Sequence, residues 1–163
     1  MHWPIKNAGG SAAFAIRPLL AFVVVSSLLQ AADSASHDPW TGSEAITPEA
    51  FAKELESGAA KKTHIVCVAF DFMYKAAHIP GAVYMGPGRD PQAIEHLKTW
   101  ASGLPKSDPV LLYCGCCPMK ECPNVRPAFA TLKAMKFTHL MVLDIPRNFA
   151  TDWAGKGLPT QKR

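Results

Sequence analysis

Short apolar runs alternate with amphipathic segments from residue 47 to the end of the chain. "PEAFAKELES" places Phe51 and Leu55 one helical turn apart, so a helix is expected there. Thr47 before it suits an N-cap, Pro48 suits the first helical position and Gly58 ends it. "HIVCVAF" (64–70) is continuously apolar and rich in β-branched residues, as in a strand buried on both faces. "GAVYMG" (81–86) predicts a second short strand, and "DPQAIEHLKTWASG" (90–103) a helix capped by Asp90. "DPVLLYC" (108–114) predicts a strand, "RPAFATLKAMK" (126–136) a helix and "HLMVLDI" (139–145) another strand. "RNFATDWAGKGLP" closes the pattern with a helical turn. Strands alternating with helices predict an α/β fold with a central, mainly parallel sheet flanked by helices. In such sheets, sites form beyond the carboxyl ends of strands.

The first forty residues break this pattern. Lys6 and Arg17 precede "PLLAFVVVSSLLQAA", and small residues follow in "DSAS". The apolar run is roughly 15 residues, short of the ~20 that a spanning helix needs. The order basic, apolar, small is that of a secretory signal, with cleavage expected near Ser34 or Ser36. An uncleaved membrane anchor is the alternative, and contact with a membrane is expected only in that case. The chain therefore divides into a signal or anchor (1–36), a linker (37–46) and one domain (47–163). A periplasmic or extracellular location follows from the signal.

Composition narrows the function. The 163 residues are 48% hydrophobic and 18% charged, which suits one ordinary globular core. The net charge of +4 is scattered, with no basic block interleaved with aromatics, so nucleic acid is not an expected partner. His64, His96 and His139 form no pairing pattern, and Trp100 and Trp153 read as packing residues.

The chemistry gathers in "VLLYCGCCPMKECPNVRPAF" (110–129), which holds four of the five cysteines between a strand and a helix. An exported chain with five cysteines leaves at least one thiol free, bound or paired elsewhere. Three readings stay open. Cys114, at the strand end, is placed to be a nucleophile, with helix-start amides and Arg126 or Lys120 favouring its thiolate. Cys116, Cys117 and Cys122 can resolve, accept sulfur or form a disulfide; a reversible pair with Cys122 is expected to constrain the insert. Alternatively Cys114, Cys116, Cys117 and Cys122 hold zinc, copper or an iron–sulfur cluster, although the spacing is not that of the common structural zinc sites. Otherwise no cofactor is expected.

Three ordered pieces carry a resemblance. "YKAAHIPGAVYM", "VLLYC" and "LDIPRNFATDWAGKGLP" resemble, in this order and at these intervals, the motifs of rhodanese-like domains. The resemblance spans about residues 45 to 160, nearly all of the chain beyond the leader. It implies a three-layer α/β fold and a sulfurtransferase or persulfide carrier. A small sulfur donor, a thiol acceptor and a redox protein are the partners implied. The reactive cysteine maps onto Cys114 with Arg126 assisting, and His78 is structural. Three departures stand out. Eleven residues separate Cys114 from Arg126, far more than the family's loop holds. Cys67, Val68 and Ala69 stand where an Asp-Val-Arg is usual, and Pro146-Arg147 where Gly-Gly is usual. The alternative is a non-catalytic thiol module, metal-binding or redox-switching, on the same fold.

Overall fold

The computed structural model describes residues 38–163, so the expected signal segment (1–36) lies outside the described residues. Ten elements follow in order: β1 (Ala45–Ile46), α1 (Pro48–Ser57), β2 (His64–Cys67), α2 (Asp71–Ala76), β3 (Val83–Tyr84), α3 (Pro91–Ser102), β4 (Val110–Tyr113), α4 (Val125–Ala134), β5 (Leu140–Leu143) and α5 (Phe149–Asp152). The strands form one sheet in the order β1-β5-β4-β2-β3, and every pairing is parallel. The fold is three-layer α/β, as the alternation of runs predicts. Among the described residues, no helix is long and apolar enough to cross a membrane.

Local chemistry sets the element ends. Thr47 accepts a hydrogen bond from Ala50 N–H, Pro48 opens α1, and Gly58 closes it in the left-handed region. Asp90 caps α3 in the same way through Gln92 N–H. The central strands are buried on both faces: Val66, Leu111, Leu112, Val142 and Leu143 are wholly inaccessible. Each such side chain removed from water stabilises the fold by about 1.5–3 kcal/mol.

Two elements differ from expectation. Residues 45 and 46 of the expected linker form β1, registered on Val142 and Leu143 of β5. Two residues are too short a run to carry a strand pattern. Helix α2 follows β2 with Phe70 at its N-cap and no side-chain cap, so it lacks the usual start signal.

The topology creates one crevice. From β2 the chain moves outward to β3 at the sheet edge, and it returns to place β4 on the other side of β2. The connections leaving β2 and β4 therefore diverge, and a cleft opens beyond their carboxyl ends. Residue 114 is the first position past β4.

His78 and Trp153 anchor the end of the chain. His78 exchanges backbone hydrogen bonds with Gln161, its Nδ1 lies 2.7 Å from Tyr74 O, and its ring stacks on Tyr74. Trp153 is buried and donates Nε1–H to Pro159 O at 2.8 Å.

Gly115 allows the chain to turn beyond β4. It has φ +76°, and its carbonyl accepts Phe149 N–H at 2.9 Å. A Cβ there would lie 2.5 Å from Phe149 Cβ, whereas one on Gly157, at φ +71°, would meet nothing. Gly157→Ala is expected to cost about 1 kcal/mol for its backbone conformation alone. Gly115→Ala is expected to cost about 3 kcal/mol, because backbone strain and overpacking add. Urea unfolding of the two variants measures the difference; equal losses would contradict the close approach.

Candidate functional site: a cysteine cluster between β4 and α4

From Cys114 the chain turns through Gly115 to Cys116 and Cys117 and makes a 3-10 turn at Met119–Glu121. It reaches Cys122 just ahead of α4. Met119 N–H donates to Ile145 O at 2.9 Å, which ties this turn to the end of β5. The Sγ atoms of Cys114, Cys116 and Cys122 all lie within 4.8 Å of one another. Cys114 Sγ is 3.2 Å from Cys116 Sγ, and Cys116 Sγ is 3.3 Å from Cys117 Sγ. Cys114 and Cys122 are buried, while Cys116 and Cys117 are half-buried. All five cysteines are unbridged in this structure, and four of them cluster in the insert.

Of the cluster thiols, Cys122 is the one whose surroundings favour the thiolate. Its thiol is lowered to about 5, chiefly because the Cys114 thiol hydrogen-bonds to its sulfur. The backbone N–H groups of Asn124 and Val125, at the start of α4, and the Cys117 thiol act in the same direction against burial. This is the helix-start arrangement that stabilises anions. Cys114 moves the opposite way: its bond to Cys122 and its burial both hold the proton on, opposed by Asn124. Burial and the Cys116 thiol push Cys117 up to about 12. Cys67 is pushed up to about 11 by burial and sits in the core at the end of β2.

Arg126 does not direct its guanidinium at a thiol. Nη1 donates to Cys122 O at 2.7 Å, Nη2 donates to Lys120 O at 2.6 Å, and Nη2 pairs with Asp38 at 2.6 Å. The guanidinium also lies over the Trp40 ring. Arg126 thus fastens the backbone that presents Cys122. Asp71 pairs with Lys75 on the exposed side of α2.

Asn124 is the residue that sequence reasoning missed. It is wholly buried, and its Nδ2–H groups point at Cys114 Sγ (3.4 Å) and Cys116 Sγ (3.7 Å). Its Oδ1 accepts Arg89 N–H at 3.2 Å. The available signal was an Asn immediately before a helix, which reads as a cap. Its side chain makes no cap bond and serves the sulfurs.

The comparisons with known proteins agree with this architecture. Residues 47–144 match the family model of the rhodanese-like domain, and the chain belongs to that family. The rhodanese-like domain of the Anabaena sp. Alr3790 protein, solved in solution, superposes with a TM-score of 0.54 at 25% identity. That match covers 74% of this chain and 80% of the other. A crystal structure of the Alr3790 protein gives 0.56 at 21% identity over 72% and 82% of the two chains. The BH2092 protein of Bacillus halodurans gives 0.56 at 17% identity over 74% and 77%. These last two likenesses are of fold alone. No curated protein matches the chain.

A lowered pKa keeps Cys122 ionised above about pH 5 and protonates it below. Far-ultraviolet thiolate absorbance of the reduced protein should therefore persist at neutral pH and fade near pH 5. Cys122→Ser should remove that transition. Cys114→Ala should move it upward, because the largest stabilising contact is lost. A neutral-pH protein without thiolate absorbance would contradict this assignment.

Proposed function

We propose that this protein accepts a sulfane sulfur on its cysteine loop as a persulfide and passes it to a thiol. One observation carries the reading. A chain of the rhodanese-like family brings the sulfurs of Cys114, Cys116 and Cys122 within 4.8 Å of one another just ahead of α4, where helix-start amides lower the Cys122 thiol. Thiolate is the form that attacks sulfur. The exchange balances without an oxidant. A cluster thiolate attacks the outer sulfur of R–S–SH, a new S–S bond forms, the old one breaks and R–S⁻ leaves. Cys122 supplies the thiolate. Cys114, whose S–H donates to Cys116, is the neighbouring carrier. Arg126 acts on position, through the carbonyls of Lys120 and Cys122.

The test is intact mass after treatment with a persulfide donor. An adduct of about 32 Da, one sulfur atom, is expected on the wild-type chain. Cys122→Ser should abolish it and Cys67→Ser should not. An adduct that survives Cys122→Ser but not Cys114→Ser would put the sulfur on Cys114. Reduced protein that takes up no sulfur would refute the reading.

A second reading is favoured by the convergence of three sulfurs within 4.8 Å. Three thiolates in one buried place suit a soft cation such as Cu(I) or zinc, and the Asn124 amide would act as their outer-shell donor. Titrating reduced protein with Cu(I) or zinc against a chromophoric chelator decides it. Stoichiometric binding that Cys116→Ser weakens by about tenfold or more would support a metal centre. No competition with the chelator would exclude one.

A further inference from the structure

A cavity of about 550 Å³ opens beside the cluster. Its walls come from α2 (Phe72, Met73, Ala76), from Ala77 just after it and from Phe149 and Ala150 of α5, and Cys116 lies on its floor with Gly115. These segments follow β2, β5 and β4, so the cavity is the crevice that the sheet topology creates. No charged residue lines it. Its polar side chain is Asn148, whose Oδ1 is taken up at the start of α5, accepting Thr151 N–H at 2.8 Å. Phe72, at the rim, is 70% exposed. Of the three converging sulfurs, Cys114 and Cys122 are buried and only Cys116 reaches this space.

We propose that Cys116 is the exchange point between the buried cluster and the outside, and that its partner is a small, uncharged, apolar thiol bound in this cavity. The proposal rests on the sulfur-transfer reading. A cavity of this size suits one small ligand, and an ionised partner would lose its hydration without meeting an opposite charge. The steps balance. Cys122–S–SH and Cys116–SH exchange to Cys122–SH and Cys116–S–SH as one S–S bond forms, one breaks and the thiol proton crosses to Cys122. A bound R–SH then takes the outer sulfur, leaving R–S–SH and Cys116–SH. Loading from an apolar persulfide runs the same steps in reverse. Anionic thiols and persulfides bulky enough to need the cavity are poor partners on this scheme.

Two arms test it. In the first, protein is loaded with polysulfide, which is small enough not to need the cavity, and sulfur transfer to benzyl mercaptan and to 2-mercaptoethanesulfonate is compared. The neutral aromatic thiol should react about tenfold or more faster. Cys116→Ser should keep the added sulfur in the intact mass yet lose transfer to both thiols. In the second arm, unloaded protein is alkylated with N-phenylmaleimide or its carboxylated analogue, and the site is mapped by peptide mass. The neutral reagent should label Cys116 first, and Ala76→Lys should bring the two rates within about threefold by offering the carboxylate a charge. Equal rates for charged and neutral reagents, or wild-type transfer by Cys116→Ser, would overturn the proposal. Failure to take up any sulfur, with the maleimide preference intact, would remove the sulfur-transfer reading and leave the cavity's selectivity standing.

Discussion

Burying a side-chain amide is costly unless both of its ends are bonded, and Asn124 is buried completely. Its oxygen is satisfied by the backbone of Arg89. Its nitrogen faces sulfur, a weak acceptor when protonated and a good one when ionised. The amide therefore favours negative charge on Cys114, against the burial and the Cys122 neighbour that hold its proton on. Around that contact the molecule fits closely. A Cβ on Gly88 would lie 2.1 Å from Asn124 O, so the segment before α3 presses directly on the start of α4. The loop thus cannot shift without disturbing two helices.

The cluster manages its charge with neighbouring thiols and backbone amides rather than with cations. Arg126 is the nearest candidate for a counter-ion, and it is held by two carbonyls and Asp38. Stabilisation of the Cys122 thiolate form falls to two neighbouring thiols and two amides. Such fixed dipoles act at short range and are little screened when buried. The apolar cavity beside Cys116 extends the same logic, since the space an incoming partner would occupy also lacks a compensating charge.

Much of this was legible in the amino-acid sequence. The apolar runs at 64–70, 108–114 and 139–145 each hold a strand, and the Thr47, Gly58 and Asp90 signals mark helix ends. The motif around His78 acts structurally, through Tyr74 and Gln161. β1 escaped because its pairing with β5 comes from tertiary contact, not from a run of residues. The cluster was legible as a list of cysteines but not as an arrangement. Which thiol meets the amides of α4 depends on the 3-10 turn at Met119–Glu121, and no spacing rule for sulfur encodes that turn. The direction of Arg126 was hidden for a similar reason. Its partner Asp38 lies far away in sequence, within what reads as linker.

Two of the ties that shape the cysteine loop reach forward along the chain. Gly115 waits for Phe149, and Met119 waits for Ile145. A chain that emerges from its N-terminus first therefore presents all five thiols before the segments that arrange them exist. In that interval the sulfurs are ordinary, mobile side chains, without the amides or the fixed neighbours that distinguish Cys122 from the rest. Their selectivity is a property of the finished chain, and a nascent one is open to any oxidant or metal it meets. A cell that makes this protein must keep those thiols from reacting until its last strand and closing helical turn are in place.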